Sequence, residues 1–574
     1  MGGSGGNGSQ TLEELRGAVA AHRLVNLTGP LGVGKSRLAA RLDDTTRIDL
    51  DLPRALSVLR RALADPATAR RTLVIDGVDG RQRREAVSAA LDEDTGARRP
   101  SLVVVSRRPV LADPRWAHPH IAALALPPAC DGLITTMAAA VESQEGRALA
   151  VRLAGGIPLL ADAACRALAC SPPPASPGAI ADQLAEVILE RVGRELPGLR
   201  WRHALRTLAT VRAADEELLP GGPDQFTRLA ALSIVERGAL GLRITEPYRT
   251  ILELAYRWRR PQAHESARSH ARDYRLTLLG RAHHGRERAE LADHGLFLTG
   301  HPLLRRELFP AGERTVGFRT ALATDGDDIA RLMHEWALHS GFDPRRCERL
   351  TERWAADDVS AFHLALDRDG RAIGVANLMP IGARTADGVE PLLQQHSGTL
   401  TGGGLFLGAA HCRDPAARAH LLRHVLRQGV EAGRLVVSTA SPDYQNLIRG
   451  LGFRGHGGIR DDVYRCGRNP EVFSNDLAAT ALPDWLGRIA RGDAPAPGPG
   501  PSGTPRLSPK ELRILLDYTS GMTLDSAARR AGITPNTAKD YLGRVKAKYR
   551  AAGRPTHTKI DLARRVREDR LDHS

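Results

Sequence analysis

The sequence predicts a multidomain protein of class α/β plus α, in which α/β domains alternate with helical ones. The chain has 574 residues, which is too long for a single hydrophobic core. An apolar, strand-like run near the N-terminus leads into a glycine-rich turn and then a helical pattern, which indicates a parallel-sheet domain. Residues 316–470 alternate between strand-like and helix-like segments, and residues 506–574 form short helical patterns separated by glycines.

Composition shifts predict the domain boundaries. Stretches rich in Pro and Gly occur at 171–178 and 491–505, and such stretches cannot form a packed core. The predicted segments are a flexible tail (1–15), an α/β domain (16–170), a helical domain (178–260), a helical connector (261–315), an α+β domain (316–470), a Pro/Gly-rich linker (471–505) and a C-terminal helical domain (506–574).

Charge and cysteine content restrict the class of protein. Residues 505–574 carry eight more basic than acidic side chains, about half of the net charge of +15. This excess indicates either a nucleic-acid footprint or a solvated basic tail. The six cysteines lack paired spacing, and no apolar run approaches the roughly 18 residues of a membrane-spanning helix. We therefore expect a cytoplasmic protein with reduced thiols and no membrane partner.

The strand-like run "LVNLT" precedes a complete P-loop signature, Gly29-x4-Gly34-Lys35-Ser36. Glycines allow the backbone to turn tightly and to direct its N–H groups at phosphates. Lys35 is the only lysine before Lys510, and a compact ammonium suits the slot between β- and γ-phosphates better than a guanidinium. The Ser36 hydroxyl is a candidate ligand of Mg²⁺. The predicted phosphate-binding residues are Gly29, Gly32, Gly34, Lys35, Ser36 and Arg37, with ATP or ADP and Mg as cofactors.

Two further apolar runs support a nucleotide site. In "LVIDGVDG" the apolar run ends in Asp76, with Asp79 three residues on, and both are candidate catalytic carboxylates. A carboxylate at the end of a strand is where a water-mediated Mg²⁺ ligand is expected, and this role is assigned to Asp76. In "LVVVSRRP" the strand-like run is followed by Arg107 and Arg108, either of which can sense the γ-phosphate or serve as a surface cation.

The segments "GPLGVGKSRLA", "LVIDGVD", "LVVVSRRP" and "RLAGGIPLLADAACRAL" occur in the order seen in NB-ARC-like ATPases of the STAND class, which this region resembles. The resemblance implies that Arg107 is the sensor arginine and that Pro158 contacts the base region. It also implies a nucleotide switch with at most slow ATP hydrolysis, and a homo-oligomer in the active form. Residues 178–260 resemble the winged-helix module of such ATPases, with an ordinary helical bundle as the alternative.

Residues 316–470 resemble the GNAT acyltransferase fold, including a hairpin turned at "DRDG". Two departures favour a noncatalytic sensing or scaffolding domain. The loop that matches the pyrophosphate-binding turn, residues 413–418, has no glycine, and Asp414 repels phosphate. The position of the family's general-acid tyrosine holds Ile448, with Tyr444 one turn earlier. An active acetyltransferase and a different α/β fold remain alternatives.

The segment "LSPKELRILLDYTSGMTLDSAARRAGITPNTAKDYLGRVKAKY" has the spacing of a helix-turn-helix. Ser508 and Glu511 form a capping box, and Thr534-Pro535 begins the third helix. The segment resembles the LuxR-type DNA-binding module, with a small helical bundle as the alternative. Candidate base contacts are Asn536, Lys539 and Asp540, and candidate phosphate contacts are Arg544, Lys546 and Lys548. Thr534 and Thr537 complete the predicted DNA-binding set.

Together these patterns predict an ATP/ADP-controlled transcriptional regulator that binds double-stranded promoter DNA. Two alternatives stay open. One is an acetyltransferase fused to regulatory and DNA-binding modules, and the other is a STAND signalling scaffold that oligomerises without DNA.

Overall fold

The computed structural model describes residues 6–68, 71–93, 100–112, 116, 121–170, 176–196, 198–310, 316–367, 369–397, 403–492, 507–551, 556, 558–569 and 571. The chain divides into two compact units. The first contains the described residues up to Leu298 together with Phe309 and Pro310, and the second contains Thr299–Leu308 and the described residues from Val316 onwards. Within these ranges, no helix combines the length and the apolar character needed to cross a membrane.

The first unit contains a parallel five-stranded sheet, which confirms the predicted α/β class. Its strands are β1 Leu24–Thr28, β2 Thr45–Asp49, β3 Thr72–Asp76, β4 Ser101–Val105 and β5 Ile121–Ala125. They lie in the order β2-β3-β4-β1-β5. Successive side chains of β4 join opposite cores: Leu102 and Val104 pack on one face, and Val103 and Val105 on the other. Both faces are therefore buried, as a parallel sheet requires.

Four helices accompany these strands: α1 Gly6–Ala21, α2 Lys35–Ala39, α3 Ala55–Ala64 and α4 Arg81–Asp92. The prediction of a flexible tail over 1–15 is wrong for residues 6–15, because α1 begins at Gly6. Leu12 and Leu15 are buried in the same core as β1. The glycine-rich start concealed this helix, which tertiary packing of one apolar side stabilises despite low helix propensity. Residues 1–5 lie outside the described ranges.

The rest of the first unit is mostly helical. Its helices are α5 Asp131–Ala138, α6 Gln144–Ala154, α7 Pro158–Leu168, α8 Pro177–Gly193, α9 Trp201–Val211, α10 Gly222–Ala230, α11 Tyr248–Arg259, α12 Pro261–Arg281 and α13 Gly285–Leu298. An antiparallel hairpin, β6 Val235–Gly238 and β7 Gly241–Ile244, lies between α10 and α11. The segment 178–260 is therefore not a purely helical bundle.

The second unit contains a seven-stranded mixed sheet. Its strands are β8 Gly317–Thr320, β9 Phe362–Leu366, β10 Ala372–Pro380, β11 Leu405–Cys412, β12 Arg434–Thr439, β13 Arg454–Gly458 and β14 Glu471–Asp476. Their order is β13-β14-β12-β11-β10-β9-β8, and β11 and β12 form a parallel pair. Strands β9 and β10 pair antiparallel, which confirms the predicted hairpin.

The helices of this part are α14 Pro302–Leu308, α15 Gly326–Ser340, α16 Pro344–Asp358, α17 Ala386–Leu393, α18 Pro415–Ala432, α19 Pro442–Gly450 and α20 Leu482–Arg491. The predicted connector 261–315 divides between the units, because α12 and α13 belong to the first and α14 to the second. Residues 311–315 lie outside the described ranges.

The predicted linker 471–505 is wrong in its first part. Residues 471–476 form β14, which lies between β12 and β13 in the sheet. Helix α20 follows, and its Trp485 donates from Nε1 to the Leu451 carbonyl at 2.6 Å. The strand "EVFSND" is short and half polar, so only pairing with two remote strands defines it. Residues 493–506, which hold most of the Pro/Gly-rich stretch, lie outside the described ranges.

Four helices form the C-terminal segment: α21 Pro509–Thr519, α22 Leu524–Arg530, α23 Pro535–Ala551 and α24 Lys559–Glu568. The predicted capping box is confirmed, because Ser508 and Glu511 exchange backbone and side-chain hydrogen bonds. Ile514, Leu542 and Val545 share one apolar core.

A half-buried histidine pair predicts acid sensitivity of the second unit. His363 Nδ1 lies 2.9 Å from His424 Nε2, and the His424 ring stacks on Phe318. Burial, together with the charges of His363, Arg427 and His420, lowers the pKa of His424 to about 3. The unfolded chain thus takes up a proton near pH 6.5 that the folded chain resists, so stability falls as pH drops below that value.

We expect His424→Phe to remove the part of this dependence that His424 contributes. Between pH 7 and pH 5 the wild type should lose about 2 kcal/mol more than the variant, measured as urea-unfolding midpoints by tryptophan fluorescence. The matched control is His334→Phe on α15, where the side chain is exposed. Equal pH dependence of wild type and His424→Phe would contradict the prediction.

Candidate functional site

The P-loop turn lies between β1 and α2 and needs its glycines. Gly29, Gly32 and Gly34 have φ values of +148°, +77° and +107°, a region that favours glycine. A Cβ at Gly29 would lie 2.4 Å from the Leu126 carbonyl oxygen, and one at Gly32 would lie 2.6 Å from the Leu159 side chain. The sequence spacing therefore reflects a backbone path that other residues cannot follow without strain.

Lys35 is the first residue of α2 and is only 7% exposed. Its Nζ donates to the carbonyls of Gly29 at 2.7 Å and Pro30 at 2.9 Å. Burial lowers the pKa of Lys35 to about 8, and the charge of Asp79 partly offsets that effect. A desolvated ammonium under a turn of N–H groups is chemically suited to an anionic ligand such as a phosphate chain.

The predicted carboxylates line the same cavity as Lys35. Asp76 ends β3, is buried, and forms an ion pair with Arg47 of β2. Asp79 accepts a hydrogen bond from the Arg107 backbone N–H at 2.7 Å, and its Oδ2 lies 3.3 Å from Arg107 Nε. Asp79 therefore positions the segment that carries Arg107, whereas Asp76 is the carboxylate at the strand end.

The two arginines after β4 contact the helical part of the first unit. Nη1 of Arg107 forms an ion pair with Glu195 and lies 3.3 Å from Ser233 Oγ. Nη2 of Arg108 donates to the Leu232 carbonyl at 2.6 Å. Neither arginine is a free surface cation, and Arg107 also lines the cavity that contains Lys35.

One cavity of about 550 Å³ brings the predicted nucleotide residues together. Gly32, Gly34, Lys35, Ser36, Arg37, Asp76, Asp79, Arg107 and Pro158 all line it. Pro158 begins α7, and the next residue, Leu159, donates its N–H to the Gly32 carbonyl at 3.2 Å. Gly29 does not line the cavity; the turn needs a glycine there because its backbone lies close to the Leu126 carbonyl. The cavity has the donor set that a nucleoside phosphate requires, and Ser36 with Asp76 offers oxygen ligands suited to Mg²⁺.

Several cavity residues were not predicted from the sequence. Asp51 accepts from Arg83 at 2.6 Å and from Arg194 at 3.1 Å, and all three border the cavity. Arg47 and Glu195 border it as well. None of these positions carries a local signal, because they come from separate segments that only the fold brings together.

In the second unit, two arginines of the loop that matches the pyrophosphate-binding turn form ion pairs with glutamates of the same unit. Arg413 pairs with Glu335, and Arg418 Nη2 lies 3.4 Å from Glu307. The Tyr444 hydroxyl donates to the Ala410 carbonyl at 3.3 Å, and Tyr444 and Ile448 both line an apolar cavity. The prediction that this domain is noncatalytic remains a prediction.

The candidate DNA-binding residues lie mostly on α23. Thr534 caps it, because its Oγ1 accepts from the Thr537 N–H at 3.2 Å. The side chains of Asn536, Lys539 and Asp540 are exposed, as expected of base-contacting residues. Arg544 is exposed and lies over the Tyr541 ring, 4.6 Å from its centroid. Lys546 is partly buried on the same helix.

Lys548 differs from the other predicted phosphate contacts. Its Nζ lies 2.6 Å from Oε2 of Glu511, the buried carboxylate of the capping box. Its charge is thus already paired between α21 and α23, which gives Lys548 a structural role within the helical segment.

No family model and no curated protein matches the chain. Among solved structures, it is similar to a Walker-type ATPase of Pyrococcus abyssi, with 14% identity over 42% of this chain and 94% of that one and a TM-score of 0.32. It is also similar to a STAND protein with a tetratricopeptide repeat sensor from Pyrococcus horikoshii, with 12% identity, coverage of 53% and 49%, and a TM-score of 0.23. An acetyltransferase of Corynebacterium glutamicum shares 18% identity over 28% of this chain and 97% of its own, with a TM-score of 0.22. The site assignment rests on the residues described above.

Proposed function

We propose that this protein is a transcriptional regulator that binds ATP or ADP in its first unit and promoter DNA through α23. The observation that carries the proposal is the buried Lys35 beneath the glycine turn, facing Asp76 across one polar cavity. This arrangement is costly without an anionic ligand, because burial disfavours the charged ammonium.

Each part of the nucleotide has candidate partners. The N–H groups of the turn and Lys35 would hold the phosphates, and Pro158 would border the base region. Ser36 and, through water, Asp76 would hold Mg²⁺, which neutralises phosphate charge when bound. We assign no fast hydrolysis to the site, since Asp79 is engaged in positioning Arg107.

Contacts within the first unit support a switch. The Tyr248 hydroxyl, at the start of α11, donates to the Leu31 carbonyl in the P-loop at 2.6 Å. Arg107 and Arg108 connect the end of β4 to residues 230–235. Movement of the phosphate-binding turn would therefore strain the packing of the helices and hairpin that follow it.

Exposure and charge support DNA binding by α23. Asn536, Lys539 and Asp540 are exposed near its N-terminus, while Ala538 and Leu542 on the same helix are buried. A helix with one buried side and an exposed polar N-terminal part suits insertion into a major groove. The homo-oligomeric active form stays part of this proposal.

Selection from a random duplex library with the full-length protein tests the proposal. We expect a common sequence to be enriched, with an affinity that changes about tenfold or more between ADP and a non-hydrolysable ATP analogue. Binding should weaken steeply with salt. Absence of any enriched sequence with either nucleotide would contradict the DNA-binding assignment, and absence of nucleotide binding by calorimetry would contradict the switch.

A further inference from the structure

Glu195 is the least expected member of the nucleotide cavity. It follows α8 and lies 88 residues from Arg107, with which it forms an ion pair. Its side chain is 5% exposed, against 14% for Arg107. A buried carboxylate at the edge of a phosphate site disfavours the binding of an anion, so its position there requires an explanation.

The position of Glu195 is fixed from its other side by Ser233. The Ser233 N–H donates to Oε2 at 2.7 Å, and the Ser233 hydroxyl donates to Oε1 at 2.7 Å. Burial raises the pKa of Glu195, and the charge of Arg107 and both hydrogen bonds from Ser233 partly offset this effect. The carboxylate is therefore rigidly held, with Arg107 as its charged partner.

Two of the three guanidinium nitrogens of Arg107 are engaged in this arrangement. Its Nε lies against Asp79, and its Nη1 against Glu195 and Ser233. Turning Arg107 towards an anion in the cavity would leave Glu195 buried with only the two Ser233 hydrogen bonds. The cost of separating Arg107 from Glu195 therefore applies only to a ligand whose phosphate chain is long enough to bind Arg107.

We propose that Glu195 is a specificity-determining residue that makes the nucleotide site favour a nucleoside diphosphate over a triphosphate, by competing with a terminal phosphate for Arg107. The inference rests on the proposed nucleotide function. Lys35, Ser36 and the glycine turn serve both ligands equally, whereas Arg107 serves the longer one. Release of Arg107 from Glu195 also removes the positive charge beside the Glu195 carboxylate. That carboxylate is bonded to Ser233, which lies just before β6.

The test compares full-length wild type with Glu195→Gln by calorimetry, using Mg-ADP and the Mg complex of a non-hydrolysable ATP analogue. Gln keeps the shape and can still accept from Ser233, but it lacks the charge that retains Arg107. We expect the affinity for the triphosphate analogue to rise about tenfold and that for ADP to change less than about twofold. In an Arg107→Ala background, Glu195→Gln should have no selective effect.

Two further variants complete the design. Ser233→Ala removes the hydroxyl that donates to Oε1, which leaves Glu195 more dependent on Arg107, so it should shift preference further towards the diphosphate by a smaller factor; it tests the idea if Glu195→Gln fails to fold. Glu186→Gln is the matched control, because Glu186 lies on α8 and pairs with Arg259 away from the cavity; it should change neither affinity.

The outcomes separate the two proposals. Equal changes for both nucleotides in Glu195→Gln, or none in any variant, would overturn the role of Glu195 and leave the nucleotide site in place. Failure of the wild type to bind either nucleotide would overturn the proposed function itself.

Discussion

Replacing Lys35 by Met should abolish tight nucleotide binding and at the same time stabilise the unliganded protein. The ammonium is the central cation of the phosphate site, so we expect an affinity loss of about 100-fold or more, roughly 3 kcal/mol. Burial that lowers the pKa of Lys35 to about 8 means that the folded state holds its charge at a cost, up to about 3 kcal/mol at pH 7. Calorimetry with Mg-ADP and urea unfolding measure the two effects.

The difference in stability between wild type and Lys35→Met should change with pH in a defined direction. Between pH 8 and about 10.5 the unfolded chain binds the Lys35 proton and the folded chain does not, so wild-type stability rises relative to the variant across this window. The stability advantage of Lys35→Met should therefore shrink as pH rises. The matched control is Lys35→Arg, which keeps a charge at all these pH values.

We expect Lys35→Arg to lose nucleotide affinity as well, without any gain in stability, because a planar guanidinium does not replace a compact ammonium in this slot. Full nucleotide affinity in either variant would contradict the assignment of Lys35 to the phosphate site. Such a result would leave the glycine-rich turn at residues 29–34 without an assigned ligand.

Replacing Lys539 by Ala should weaken binding to the selected duplex by about tenfold or more, the cost of one lost base contact of roughly 1–3 kcal/mol. Lys539 is exposed on the first turns of α23, next to buried Ala538. Fluorescence anisotropy with the full-length protein measures the affinity. A competing duplex of altered sequence measures the accompanying loss of selectivity.

Lys510→Ala is the matched control for the DNA experiment. Lys510 is exposed on α21, so its removal changes the net charge by the same amount without altering α23. We expect its effect to be small at moderate salt. Equal weakening by both substitutions would mean that α23 makes no specific contact, and that the basic charge of residues 505–574 acts only as a general attraction.

Local constraints explain why much of the site was predictable. The P-loop spacing encodes positive φ at Gly29, Gly32 and Gly34, and the structure has all three. The capping box needs only Ser508 and Glu511, three residues apart, so it too is readable from the sequence. Asp76 was placed correctly because a buried strand that ends in a carboxylate has a distinct pattern.

Segments without a local signal were misread. Strand β14 was assigned to a linker because its apolar and polar residues show a strand only once β12 and β13 pair with it. Helix α1 was hidden by glycines that tertiary packing overrides. The ion pair of Lys548 with Glu511, on another helix and 37 residues away, also carries no local signal, and the phosphate contact of Lys548 stays a prediction.

The sequence by itself determined the local chemistry of the candidate sites: a glycine-rich turn that leads into a lysine, a carboxylate at a strand end and a basic helical segment at the C-terminal end. These features depend on backbone conformations and side-chain types within a few consecutive residues. Only the tertiary structure decided which arginines surround the cavity and that Glu195 and Ser233 hold Arg107. Those contacts join residues 88 and 126 positions apart, and their energies arise from burial, which no short stretch of sequence encodes.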